Sequence, residues 1–186
     1  RRRCGAVAVF NAGQYYGDYS YMGLLADSGV LISRRPHPTY RAALVAGPSD
    51  GRAGARVLDL TREKLDADSL GWAEVAQSFM LFDRAGTVRV RHSDQVAGRT
   101  AVAEDRRGRL LVLVTEGGYT LWDFAQLVRR LPLDLALAMA MDGGREAEMV
   151  VSAGRFRYAN FGQWEPGAAP PLPPVPLPAV ITVEAR

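Results

Sequence analysis

One helical signal stands among many short apolar runs, and that imbalance most constrains the fold. Thr120 precedes Leu121 to Leu131, whose apolar positions Leu121, Phe124, Ala125, Val128 and Leu131 follow helical spacing. A threonine just ahead of the first turn is a favoured cap. Arg129 and Arg130 suit the negative end of the helix dipole, and Pro132 stops the run. The rest reads as short strands broken by turns, paired into hairpins. The pattern predicts an α+β fold: a mixed, largely antiparallel sheet core with one prominent helix over 121–131.

Cys4 to Phe10 reads as a buried strand ending at Asn11-Ala12-Gly13. Met22 to Ser33 reads as a hairpin turning at Asp27-Ser28-Gly29. Arg34 to Gly54, rich in Pro, Gly and Arg, is expected to run over the surface. Arg56 to Leu60 is a strand, and Leu65 to Val75 is expected to hold a helical turn or two. Ser78 to Phe82 and Thr87 to Arg91 flank an Asp-x-x-Gly turn, and Thr100 to Ala103 pairs with Leu110 to Thr115. The uninterrupted Leu110 to Val114 run predicts a strand covered on both faces. Leu135 to Met141 reads as a central strand ending at Asp142-Gly143-Gly144. Met149 to Ser152, Arg155 to Ala159 and Ala179 to Glu184 are the remaining strands. Pro166 to Pro178 holds seven prolines and reads as a surface loop, so the 186 residues make one domain.

Composition excludes several classes. No apolar run reaches the roughly 18 to 20 residues of a membrane helix. Of the 23 basic residues all but Lys64 are arginine, which suits carboxylate or phosphate recognition but also a GC-rich genome. They are interleaved with acids, which argues against a nucleic-acid groove; Arg1 to Arg3 form the one tight basic cluster. The single cysteine, Cys4, excludes an intrachain disulfide. His37 and His92 have neither HxH nor HExxH spacing. GxSxG, P-loop and dinucleotide patterns are absent, so neither a metal nor an organic cofactor is expected.

Polar groups follow several core strands. Asp142-Gly143-Gly144 places an acid at a sheet rim, where it is partly desolvated yet reachable, with glycines that let a ligand approach closely. The same triplet is also an ordinary turn. Asn11-Ala12-Gly13 and Glu116-Gly117-Gly118 repeat the arrangement, and Arg99 precedes another strand. The sequence leaves open which of these ends share an edge.

Several segments then match a known family in order. Asn11-Ala12-Gly13-Gln14-Tyr15-Tyr16 with Asp18, Gly23-Leu24-Leu25 and Gly29 resembles the opening motif of the phosphodiester glycosidases. Gln77-Ser78-Phe79-Met80-Leu81, Gly98-Arg99-Thr100-Ala101-Val102-Ala103, the 120–131 helix and Ala138 to Gly144 continue the likeness. The resemblance implies hydrolysis of a sugar joined through its anomeric carbon to a phosphate diester. It places Asn11, Arg99 and Asp142 at the site, shaped by Gly143 and Gly144, with Thr100, Ser78 and Asp18 toward the substrate. Arg99 would hold the phosphate by two charge-assisted bonds. Glu116 is the candidate second carboxylate, from its Gly-Gly pattern alone. Such a chain is expected outside the cytoplasm, in polysaccharide or cell-envelope metabolism; it does not begin with Met, and no signal segment is recognisable in it.

Two departures stand out. The family continues Asp-Gly-Gly with Gly and Ser, where this chain has Arg145 and Glu146, and Met80 stands where the family has proline. An alternative is therefore a catalytically inactive domain that binds carbohydrate or phosphate on the same fold. A third reading makes Pro166 to Pro178 a docking segment for a partner domain.

Overall fold

The computed structural model describes residues 5–52, 54–162, 164, 167 and 173–185. Arg1 to Arg3, Cys4 and most of 166–172 lie outside the described residues. The strands are β1 (Ala6–Asn11), β2 (Leu25–Asp27), β3 (Val30–Ser33), β4 (Ala42–Pro48), β5 (Ala55–Asp59) and β6 (Trp72–Phe82). They continue as β7 (Thr100–Asp105), β8 (Leu110–Val114), β9 (Leu135–Ala140), β10 (Glu148–Ala153), β11 (Phe156–Phe161) and β12 (Val180–Glu184). Helix α1 (Leu121–Arg130) lies between β8 and β9, and a 3-10 turn spans Gly144–Glu146.

The strands form two sheets, and every pairing is antiparallel. One has the order β11-β10-β1-β12; the other runs β3-β2-β6-β9-β7-β8, with the β4-β5 pair joined to β6. The expected α+β architecture is thus what forms. Strand β9 shows why the layers stack as they do. Its residues alternate between faces, so Leu137 and Met139 join Phe10, Met80 and Val102 in the core that also takes Ile181 and Met149 from the smaller sheet. Ala138 and Ala140 point the other way, with Ala101 and Ala103, toward Phe124, Ala125 and Val128 of α1. Four alanines under the helix let it approach closely, and Phe124 fills the space they leave.

The helix begins as its sequence predicts. Asp123 N–H donates to Thr120 Oγ1 (3.0 Å), while that hydroxyl donates to Asp123 Oδ2 (2.7 Å). At the other end Leu131 is the cap, and Arg129 Nη1 donates to the Gly86 carbonyl (3.2 Å).

Four local expectations change. Residues 42–48 are a strand, not surface loop, and Ala42 to Val45 are buried because β4 lies between β5 and β6. No helical turn forms over 65–75. Asp66 folds the chain into a bend by accepting from Asp68 N–H (2.9 Å), and β6 starts at Trp72. Thr87 to Arg91 makes one isolated bridge, Val88 to Phe82. Strand β8 lies at a sheet edge, paired only with β7, and all five of its residues are half-buried. An unbroken apolar run does not tell an edge strand from a central one.

Candidate active site

Three strand ends meet at one edge. Because β7 runs antiparallel to β9, the start of β7 lies beside the end of β9, with Ala101 opposite Ala140. The pairing continues past β9 as Met141 N–H donates to the Thr100 carbonyl (2.9 Å). One residue later Asp142 N–H donates to the Ala12 carbonyl (3.0 Å), so the chain crosses from the larger sheet to the end of β1. Asp142 sits on that crossing.

Asn11 braces it from below. Its side chain is 1% exposed, and Nδ2 donates to the carbonyls of Asp142 (2.9 Å) and Ala12 (3.2 Å). Its Oδ1 accepts from Glu148 N–H (3.3 Å). The amide is therefore occupied by backbone, and Asn11 positions Asp142 without facing outward. Gln14 does similar work, with Nε2 on the Met141 carbonyl (2.9 Å) and Oε1 accepting from Ser78 Oγ (2.8 Å). That places Ser78, itself buried, behind the site.

The two glycines are explained by close approach. A Cβ on Gly143 would stand 2.8 Å from the Gly98 carbonyl oxygen, and one on Gly98 would stand 2.8 Å from that of Gly144. Gly144 has φ +78°, a left-handed conformation that glycine adopts freely, and it turns the chain into the 3-10 segment. That turn brings Glu146 back toward the site, where its Oε1 accepts from Tyr15 O–H (3.0 Å).

Asp142 is held up to about 6, chiefly because burial disfavours its charge. Gly143 N–H, donating to Oδ1 (2.8 Å), pulls the value down, the Glu146 carboxylate pushes it up, and the Arg99 guanidinium pulls it down. Tyr40 is pushed up to about 12 by burial, with Asp142 adding to the effect; burial and Asp142 also raise Tyr15 and Tyr21. Arg99 is lowered by burial against the opposing pull of Asp142. Asp142 thus holds its proton to a higher pH than a free aspartate does.

Arg99 does not offer the two-pronged grip expected of it. Its Nε donates to the Tyr119 carbonyl (2.9 Å) and its Nη2 to that of Gln95 (2.7 Å). The remaining nitrogen, Nη1, lies 3.2 Å from where a Cβ on Gly143 would stand, on the Asp142 side. Thr100 is buried beside it, and its Oγ1 has no partner among the described residues.

Glu116 is not brought to Asp142. It is exposed, its Oε1 accepts from Tyr158 O–H (3.0 Å) on β11, and it is not among the charges acting on Asp142. The nearby second carboxylate is Glu146. Asp18 is exposed and closes its own turn, accepting from Ser20 N–H (3.0 Å) and Oγ (2.6 Å). It lines a cleft of about 770 Å³ with Tyr16, Arg35 and His37, which shares Tyr21 with the Asp142 surroundings. Arg145 turns away from Asp142, and its Nη2 donates to the Pro173 carbonyl (2.7 Å). Among the described residues no three His, Cys, Asp or Glu side chains group as metal ligands.

The family model described as phosphodiester glycosidase matches residues 4–181. This chain belongs to the phosphodiester glycosidase family. The resemblance read from its motifs is borne out. Among solved structures it is similar to the zebrafish N-acetylglucosamine-1-phosphodiester α-N-acetylglucosaminidase catalytic domain auto-inhibited by its pro-peptide. The TM-score is 0.70 at 18% identity, over 98% of this chain and 64% of that one. At that identity the likeness shows the fold, and this chain spans less than two thirds of the zebrafish chain's length. No curated protein sequence matches significantly. Within this member of the family, the motifs alone do not mark Tyr15, Gln14 and Glu146 as neighbours of Asp142. Tyr15 and Gln14 were in the opening motif, whereas Glu146 stood out only as a departure.

Proposed function

We propose that this chain is a hydrolase that cleaves the bond between an anomeric carbon and a phosphodiester oxygen. The observation that carries the reading is Asp142: a half-buried carboxyl held near 6 at the junction of both sheets, flanked by Arg99 and Glu146. Such a group can donate a proton to the departing phosphate oxygen. The C–O electron pair leaves with the phosphate, positive charge develops on the sugar ring, and water supplies the new hydroxyl. A phosphate leaves readily and needs less acid assistance than an alkoxide, so a single carboxyl serves where the bond breaks. Arg99 Nη1 is the cation placed to face the developing phosphate charge. Asn11, Gln14, Gly143 and Gly144 keep Asp142 in register, and Thr100 and Ser78 support it from behind.

The proposed setting is extracytoplasmic, in the metabolism of a phosphodiester-linked polysaccharide or envelope polymer; family membership and the fold support the chemistry, and the setting is inferred from it. The test is release of reducing sugar from a set of sugar-1-phosphodiesters, with heavy-oxygen water to locate the broken bond. Label in the sugar supports C–O cleavage. No sugar release from any member, with calorimetric binding retained, would establish instead a binding domain on this fold.

A further inference from the structure

Charge at the Asp142 edge is out of balance. Three carboxyl groups gather there: Asp142, Glu146, and Glu148, which is raised by burial with Glu146 adding to the effect. Arg99 is the arginine whose charge acts on Asp142, and its Nε and Nη2 are occupied by carbonyls. Arg145 donates through Nη2 to the Pro173 carbonyl, and its charge acts on Glu148 but not on Asp142. No described arginine pairs with Glu146, which is held instead by the Tyr15 hydroxyl at 3.0 Å. The other titratable groups acting on Asp142 or influenced by it are Tyr15, Tyr21 and Tyr40, all neutral near pH 7.

We propose that Glu146 is a specificity-determining residue: it admits glycosyl phosphodiesters of one negative charge and turns away glycosyl phosphates of two. This rests on the reading of the Asp142 site as a glycosyl-phosphodiester hydrolase. A phosphate monoester carries about −1.5 to −2 at pH 7, and a nucleoside-diphosphate sugar also carries two charges beside its anomeric carbon. Either would meet one arginine and a fixed carboxylate. A simple diester carries a single charge, which Arg99 alone offsets. Tyr15 makes the discrimination effective, because a tethered carboxylate cannot swing away from an incoming anion.

The experiment compares kcat/KM on three substrates with one sugar: a methyl phosphodiester, the 1-phosphate monoester, and a nucleoside-diphosphate sugar. Wild type, Glu146→Gln and Glu146→Ser are assayed at pH 7.5, in low and high salt. Gln keeps the size of Glu and still accepts from Tyr15, and Ser removes the carboxylate with a smaller side chain if the Gln variant folds poorly. The wild-type preference for the diester should fall about tenfold in both variants, a size suited to one charge near a phosphate in a partly solvated site. The change should come mainly from faster turnover of the doubly charged substrates, and should shrink in high salt. A preference unchanged within about twofold overturns the role of Glu146 while leaving the hydrolase reading intact. Absence of turnover of every diester by wild type overturns both.

Discussion

Replacing Asp142 by Asn should make the protein more stable at pH 8 while it stops working. The reasoning follows from burial. A carboxyl raised from 3.8 to about 6 is one that the folded protein prefers uncharged. In the unfolded chain it ionises near 4, so folding holds the proton more tightly than the unfolded state does. The sign is therefore opposite to that of a salt-bridged aspartate: the stabilisation is fully present below about pH 4 and is lost as pH rises through about 6. Above that range the folded protein carries a penalty of about 3 kcal/mol, an upper value because the group is partly exposed and relaxation lowers it. Asn keeps the shape and removes the charge. Urea unfolding of wild type and Asp142→Asn from pH 4 to 8 should show a difference under about 1 kcal/mol at pH 4, growing to about 2–3 kcal/mol in favour of Asn at pH 8. A difference that does not change with pH, or an Asn variant less stable than wild type at pH 8, would refute the account of Asp142.

Three other outcomes follow from the geometry. Asn11→Ala leaves two buried carbonyls and the Glu148 N–H without their side-chain partner, and should cost about 2–4 kcal/mol in urea unfolding. Gly143→Ala sets a Cβ 2.8 Å from the Gly98 carbonyl oxygen and 3.2 Å from Arg99 Nη1; it should lower kcat by about tenfold or more while far-ultraviolet circular dichroism stays unchanged. Phe124→Ala empties the space over Ala101, Ala103, Ala138 and Ala140, and should cost about 3–5 kcal/mol by the same unfolding assay.

Much of the fold was legible because local and global signals agree. The 121–131 helix carries its cap, its spacing and its proline stop in one stretch, and β9 ends where the small apolar run meets Asp142. Strand β4 was hidden because Pro36, Pro38, Gly47 and Pro48 surround a short run whose burial depends on being flanked on both sides, by β5 across a Gly-rich turn and by β6 further along the chain. At the site, the backbone convergence was half readable. Strand β8 ends beside Arg99, where Thr115 Oγ1 accepts from Arg99 N–H at 2.9 Å, so Glu116 does lie near the right edge in the chain. Its side chain points instead to Tyr158. Strand-end position locates backbone; it does not give side-chain direction. Glu146 was unreadable for the complementary reason, since only the left-handed Gly144 and the turn after it carry the carboxylate back to Tyr15.

The central claim is that Asp142 is the proton donor of a glycosyl-phosphodiester hydrolase, and the pH profile of sugar release tests it most directly. For a singly charged sugar-1-phosphodiester, kcat/KM of wild type should fall on the alkaline side with a limb near pH 6, where Asp142 loses its proton. Asp142→Asn should lose roughly 10²–10⁴-fold in rate and the limb with it. A variant within about twofold of wild type, or one that keeps the same limb, would contradict the assignment of Asp142.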